Sequence, residues 1–425
     1  MRLVIKNGWV IDPANNIDGQ KDIYIEAKHI LAVGDRPSGF NAQKEIDAQG
    51  KIVCPGLIDL CARLREPGLE YKATIAGETY AAATAGITTL CHPPNTDPII
   101  DTPAVAELIS RSAELAAFAT VLPIGALTQQ LKGEQLAEMA ALKAAGCIGV
   151  ANVYPFENSR VLLHALEYAA THDLLVFLTP QDPWLSAKGF AHDGVVATRL
   201  GLPAIPAAAE TVAVARDLAL IAQTGARAHF SQLSTALAVH MIGRAQYDGH
   251  KISCDVSAHQ LFLSEVDLEG FNRQCHVIPP LRTLQDRDGL RVGLRKGTIG
   301  ALCSDHQPHE SDAKNRPFCS TEPGISALET LLPLTLKLVD EGVLTLKAAI
   351  TRLTSGPARL LRIEAGSLSV GQRADICIFD RDELWTLTPE ALVSQGKNSP
   401  FIGWQLKGRV SHTIHAGRLV FERKP

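Results

Sequence analysis

The segment PGLIDLCARLREPG, residues 55–68, closes an apolar run with Cys61, Arg63 and Arg65 at alternate positions. Alternate residues of an extended strand share a face, so the three are expected to project to one side, just before a Gly/Pro turn carrying Glu66. Far along the chain, ALCSDHQPH places Asp305, His306 and His309 after a second apolar run. Thiolate, carboxylate and imidazole are the ligands of a catalytic zinc, which takes about three from the protein and leaves a position open for water. Such a set would have to be built from Cys61, Asp305, His306 or His309. Asp305 and His306 are adjacent and face opposite ways on an extended strand, so both reach one ion only where the strand has already ended. The set falls short of what zinc requires, and neither a metal nor another cofactor is expected.

The elements that must position these groups follow from periodicity. Between residues 53 and 362, strand-like runs alternate with Ala/Leu/Glu-rich helical segments. The runs are GLIDLCARL, ITTLCHPP, ATVLPIGA, CIGVANVY, LLVFLTP, ARAHFSQLS, ISCDVSAHQL and IGALCSDHQPH. Eight β/α units predict a closed (β/α)8 barrel, and no G-x-G-x-x-G opens a helix. Residues 1–52 and 363–425 read instead as short strands with turn signals, and are expected to form one small β-sandwich domain from both termini. A barrel of this kind carries its chemistry at the C-terminal strand ends. Those ends supply Cys61, Arg63 and Arg65; His92 and Asn95; Asn152 and Tyr154; Thr179 and Gln181; Ser231 and Gln232; Ser257 and His259; Asp305, His306 and His309.

Composition excludes several classes. The chain of 425 residues is 46% apolar and 20% charged, with a formal charge of −4 and scattered Lys and Arg. That leaves no basic field for nucleic acid or an anionic membrane. Nine cysteines occur singly, without a C-x-x-C pair. They read as reduced, buried thiols, and with no signal-like or membrane-spanning run a cytoplasmic location is expected.

The combination of PGLIDL…LREPG, AAATAGITTLCHPPNTDP, ISCDVSAHQLFLSE, VIPPLR, SDHQPH and GQRADICIFD, spread over nearly the whole chain, resembles the dihydroorotases of the amidohydrolase superfamily. In active members the resemblance places a His-x-His pair at the positions of Cys61 and Arg63, a Lys or Asp at the fourth strand end, and histidines at Thr179 and Gln232. Only Asp305 matches the metal-binding set. By the same resemblance Arg65, Asn95 and His309 match ligand-contacting positions, while SAH at 257–259 departs from the family pattern. Without an ion, Asp305 has no activated water to deprotonate. Arg63 is expected to reach Asp305 across the closure of the first and eighth strands and to stand in for the lost cation.

The family also includes chains that lack these ligands and serve as non-catalytic partners of the aspartate carbamoyltransferase catalytic chain in pyrimidine synthesis. The resemblance implies such a pseudoenzyme here, with a homodimer possible as well. The alternative reading is a cyclic amidohydrolase with an unusual site. Plainer roles stand beside both: Cys61 and Cys303 as small core residues, Arg65, Asn95 and His309 as loop-bracing groups, and His259 as a structural histidine; Phe401 and Trp404 look exposed, but by the resemblance their stretch SPFIGWQLKG packs against the barrel.

Overall fold

A computed structural model describes Arg2 to Lys424. Eight parallel strands form the barrel: β1 (Leu57–Asp59), β2 (Ile87–His92), β3 (Thr120–Ala126), β4 (Gly149–Asn152), β5 (Leu175–Leu178), β6 (Arg227–Phe230), β7 (Ile252–Ser257) and β8 (Ala301–Cys303). Their hydrogen-bonded order follows the chain from β1 to β8. Closure between the first and last is made just beyond their ends. Ala62 bridges His306 in parallel, the Arg63 N–H donates to the His306 carbonyl at 2.9 Å, and the His306 N–H donates to the Cys61 carbonyl at 3.2 Å. Asp59 completes the seam by accepting the N–H of Ser304 at 2.9 Å and that of Cys61 at 3.3 Å, together with the Ser304 hydroxyl.

The two faces of each strand go to different cores. Val150, Val176, Ala228 and Phe230 pack outward against the helices, whereas Ala151, Leu175, Phe177, Ala301 and Cys303 fill the barrel with Cys61 and Cys91. Truncating a fully buried side chain such as Phe230 to Ala costs about 3–5 kcal/mol. The helices start where the sequence offers caps: Thr74, Asn158, Thr235 and Thr283 each accept a backbone N–H of the first turn.

Strands from both ends of the chain build the second layer. A six-stranded sheet runs Arg418–Glu422, Gln405–His415, Ile376–Thr386, Ile52–Pro55, Trp9–Asp12 and Ile17–Gln20. It packs through Val10, Val53, Ile376, Ile378 and Ile414 on a four-stranded sheet contributing Leu3, Ile5, Ile23, Ile25, Ile30 and Ile46. Phe401 is fully buried and edge-on to Trp404 at 5.0 Å, both packed into the core between helices and barrel. The nine thiols are free and all are buried except Cys319.

Candidate active site

The first strand is shorter than its sequence pattern predicts. β1 stops at Asp59, so Cys61 and Arg63 stand on the segment that climbs out of the barrel, and Arg65 has a left-handed φ of 70°. Strict alternation therefore fails at Arg65, which turns away from the other two. β8 likewise ends at Cys303, and Asp305 adopts a φ of 49°. This turn aims the Asp305 carboxylate into the mouth while His306 faces the outer wall.

At the mouth the Arg63 Nη1 donates to Asp305 Oδ1 at 2.7 Å, with side-chain exposures of 12% and 2%. The Cys61 Sγ lies 3.6 Å from both Arg63 Nη1 and Asp305 Oδ1. Gln307 Nε2 sits 3.3 Å from each Asp305 oxygen. Burial works against the Arg63 charge, but the Asp305 carboxylate, through its charge and its hydrogen bond, outweighs it, and the guanidinium stays protonated. Burial pushes the Cys61 thiol well above its ordinary range, which leaves it a neutral S–H. His259, also facing Asp305, is pulled down to about 4 by burial and keeps Nδ1 unpartnered.

Elsewhere around the mouth the matched positions carry no metal donor. Thr179 follows β5 as a half-buried residue. Gln232 is buried in a left-handed conformation, with its N–H donating to Asp255 Oδ1 at 2.6 Å. His306 is engaged on both nitrogens: Nδ1 accepts the Ala327 N–H at 3.0 Å, so Nε2 carries the proton donated to Glu78 at 2.9 Å. That tautomer ties β8 to the helix Ile75–Thr84 and removes His306 from any shared site with Asp305. Among the described residues, no three His, Cys, Asp or Glu side chains are placed to share an ion. A protonated thiol, a guanidinium already bound to the carboxylate, a hydroxyl and an amide do not fit a divalent metal, so no step is derived through one.

Arg65 and His309 are brought together, but into the protein's own bracing. Arg65 is buried, its Nε donates to the Pro308 carbonyl at 3.0 Å, and burial lowers its pKa to about 10. The His309 Nε2 donates to the Pro323 carbonyl at 2.9 Å while Nδ1 accepts from Lys72 Nζ at 3.3 Å, leaving Arg65 Nη2 as a close neighbour at 3.2 Å. Burial, then Arg65, pushes His309 down to about 2. Lys72 also pairs with Glu322, and Asn398 accepts the His309 N–H at 2.9 Å while donating to the Gln307 and Gly324 carbonyls at 2.9 and 3.0 Å. Asn95 stands apart from this network with its buried Oδ1 unpartnered.

Sequence reading missed Asp59, Lys72, Glu78, Glu322 and Asn398. Asp59 alone had a local signal, a lone acid inside the apolar run GLIDL. The other four act across long sequence separations from helices and loops.

With this geometry in view, comparison with known proteins defines the class. The L-hydantoinase (dihydropyrimidinase) of Arthrobacter aurescens superimposes with a TM-score of 0.89 at 24% identity, over 99% of this chain and 96% of that one. The dihydropyrimidinase of Brevibacillus agri follows at 0.84 and 22%, over 99% and 95%. At that identity the likeness shows the fold alone, a (β/α)8 barrel with accessory β-sheets. Residues 50–237 match the dihydro-orotase-like family model, and residues 324–421 match that of an amidohydrolase family. A dihydroorotase-like protein of Pseudomonas aeruginosa is 50% identical over 99% of this chain and all of its own length. Another from Pseudomonas putida is 48% identical over 99% of each chain, and a dihydroorotase of Syntrophotalea carbinolica is 43% identical over 99% of each. The chain belongs to the dihydroorotase-like family of amidohydrolases.

Proposed function

We propose that this chain is a non-catalytic dihydroorotase homologue of the cytoplasm, a structural subunit that docks on the catalytic chain of aspartate carbamoyltransferase and supports its assembly in pyrimidine biosynthesis. The Arg63–Asp305 pair supports this reading most directly, because it neutralises the one retained acid with a side chain in place of an ion. A hydrolytic barrel needs a carboxylate free to take a proton from an activated water. Here that carboxylate accepts from a guanidinium and an amide, and the neighbouring sulfur keeps its proton. Arg65 and His309, the positions matching ligand contacts, brace loops instead. What the fold retains is a closed barrel whose mouth is braced by the protein's own side chains, which suits a scaffold subunit.

Co-expression with the aspartate carbamoyltransferase catalytic chain, followed by size-exclusion chromatography, tests the reading. Co-elution at fixed stoichiometry, with the carbamoyltransferase losing its assembled size when this chain is left out, is the expected result. Separate elution of two independently assembled proteins would overturn it. The relative named dihydroorotase at 43% identity keeps an active cyclic amidohydrolase as the second reading. Turnover of dihydroorotate by the purified chain is its signature.

A further inference from the structure

Outside the barrel mouth, two cavities share a wall where the segments following β7 and β8 meet. The first, of 370 Å³, is lined by Asn272, Arg273, Gln274, Ser311, Lys314 and Asn315. The second, of 530 Å³, is walled by Leu200, Leu202, Phe271, Pro317 and Phe318, with Arg273 and Arg316 among its polar lining. Gly270, Phe271 and Arg273 belong to both, so the two are compartments of one cleft, one polar and one apolar. Neither lining contains an Asp or Glu.

The charges in this cleft are unbalanced. Lys314, Arg273 and Arg316 form no ion pair among the described residues. Lys314 is only 5% exposed, yet its ammonium, which has three protons to donate, has its hydrogen bond to the His276 carbonyl at a long 3.3 Å. Burial lowers the Lys314 pKa to about 8 against the pull of Cys275 and Glu322, and Glu322 itself is committed to Lys72. A buried ammonium without a counter-charge is costly, and an anion in the cleft relieves that cost. Beside it Phe271 leaves 46% of its surface exposed, an aromatic face open to a flat ligand.

We propose that this cleft is a binding site for a small phosphate ester with an aromatic body. The phosphate sits against Lys314 and Arg273, whose point charge and planar fork suit its oxygens. The ring occupies the compartment of Phe271 and Phe318. Both compartments lie in the size range of small-molecule pockets. The site depends neither on Asp305 nor on the scaffold role.

Isothermal titration of the full chain with phenyl phosphate, inorganic phosphate and phenol tests it. Saturable binding of phenyl phosphate, at least roughly tenfold tighter than inorganic phosphate, is expected from the added apolar contact. Arg273→Ala/Arg316→Ala, a change of two exposed residues, weakens it by roughly tenfold or more, as does Lys314→Met, whereas Asp305→Asn, a change in the barrel mouth, leaves it unchanged. If Lys314→Met fails to fold, the exposed double variant decides alone. The proposal is overturned if no saturable binding occurs, if phenyl phosphate binds no tighter than inorganic phosphate, if the double variant binds as the parent does, or if Asp305→Asn alters binding and so places the ligand in the barrel mouth.

Discussion

Arg63 donates to Asp305 at 2.7 Å across the seam where the first and last barrel strands meet, and the Cys61 sulfur lies within 3.6 Å of both groups. The three side chains converge on the space in which an amidohydrolase fold would do its chemistry. Their charges are already balanced by protein, and the consequences can be measured.

Arg63→Met leaves the Asp305 carboxylate buried without its cation. The expected cost is about 3–5 kcal/mol of unfolding free energy. Adding Asp305→Leu, which removes the orphaned charge, restores most of it. Urea unfolding of the two variants beside the parent measures the difference, and equal destabilisation of single and double variants would show that the pair is not coupled.

Replacing the first-strand positions with imidazoles reads the same geometry in reverse. Cys61→His/Arg63→His presents two imidazoles and the freed Asp305 carboxylate to one point, about the three ligands a catalytic zinc takes from protein. The double variant is expected to bind about one equivalent of zinc in equilibrium dialysis, with the parent binding none. A double variant that stays metal-free would mean the three positions do not converge as described.

Acid weakens the fold in a direction fixed by its buried groups. Burial holds His92, His259 and His276 down to about 4 and His309 to about 2. Unfolded histidines titrate near ~6.5, so their stabilising contribution is present above that pH and is lost as pH falls toward the folded values. Asp59 and Asp217 run the other way, because burial raises both to about 6. Their contribution is full below the unfolded value of ~3.9 and is lost as pH rises through about 6. Four histidines against two aspartates leave a net uptake of roughly two protons on unfolding, or about 3 kcal/mol lost per pH unit between about 6 and 4. Urea midpoints across that window measure the slope, and midpoints that rise on acidification would contradict it.

Much of this architecture can be read from the sequence, and the reason is local. Each barrel strand carries its own apolar run, each major helix its own periodicity, and several helices a Thr or Asn cap. The Arg63–Asp305 contact was also accessible, because closing eight strands makes the first and eighth neighbours. The left-handed turns at Arg65 and Asp305 were not, since the climb out of the barrel is set by the seam around Asp59 and Ser304. Nor was the pairing of His306 with Glu78, or of Lys72 with His309 and Glu322: helix and loop packing decides those partners, and no periodicity encodes it.

Turnover of dihydroorotate by the purified chain, assayed with added zinc, tests the proposed non-catalytic role most directly. No turnover above that of buffer is expected, with Asp305→Asn indistinguishable from the parent. Zinc-dependent turnover that Asp305→Asn abolishes would show that the carboxylate still works as a catalytic base, and would contradict the reading of this barrel as a scaffold.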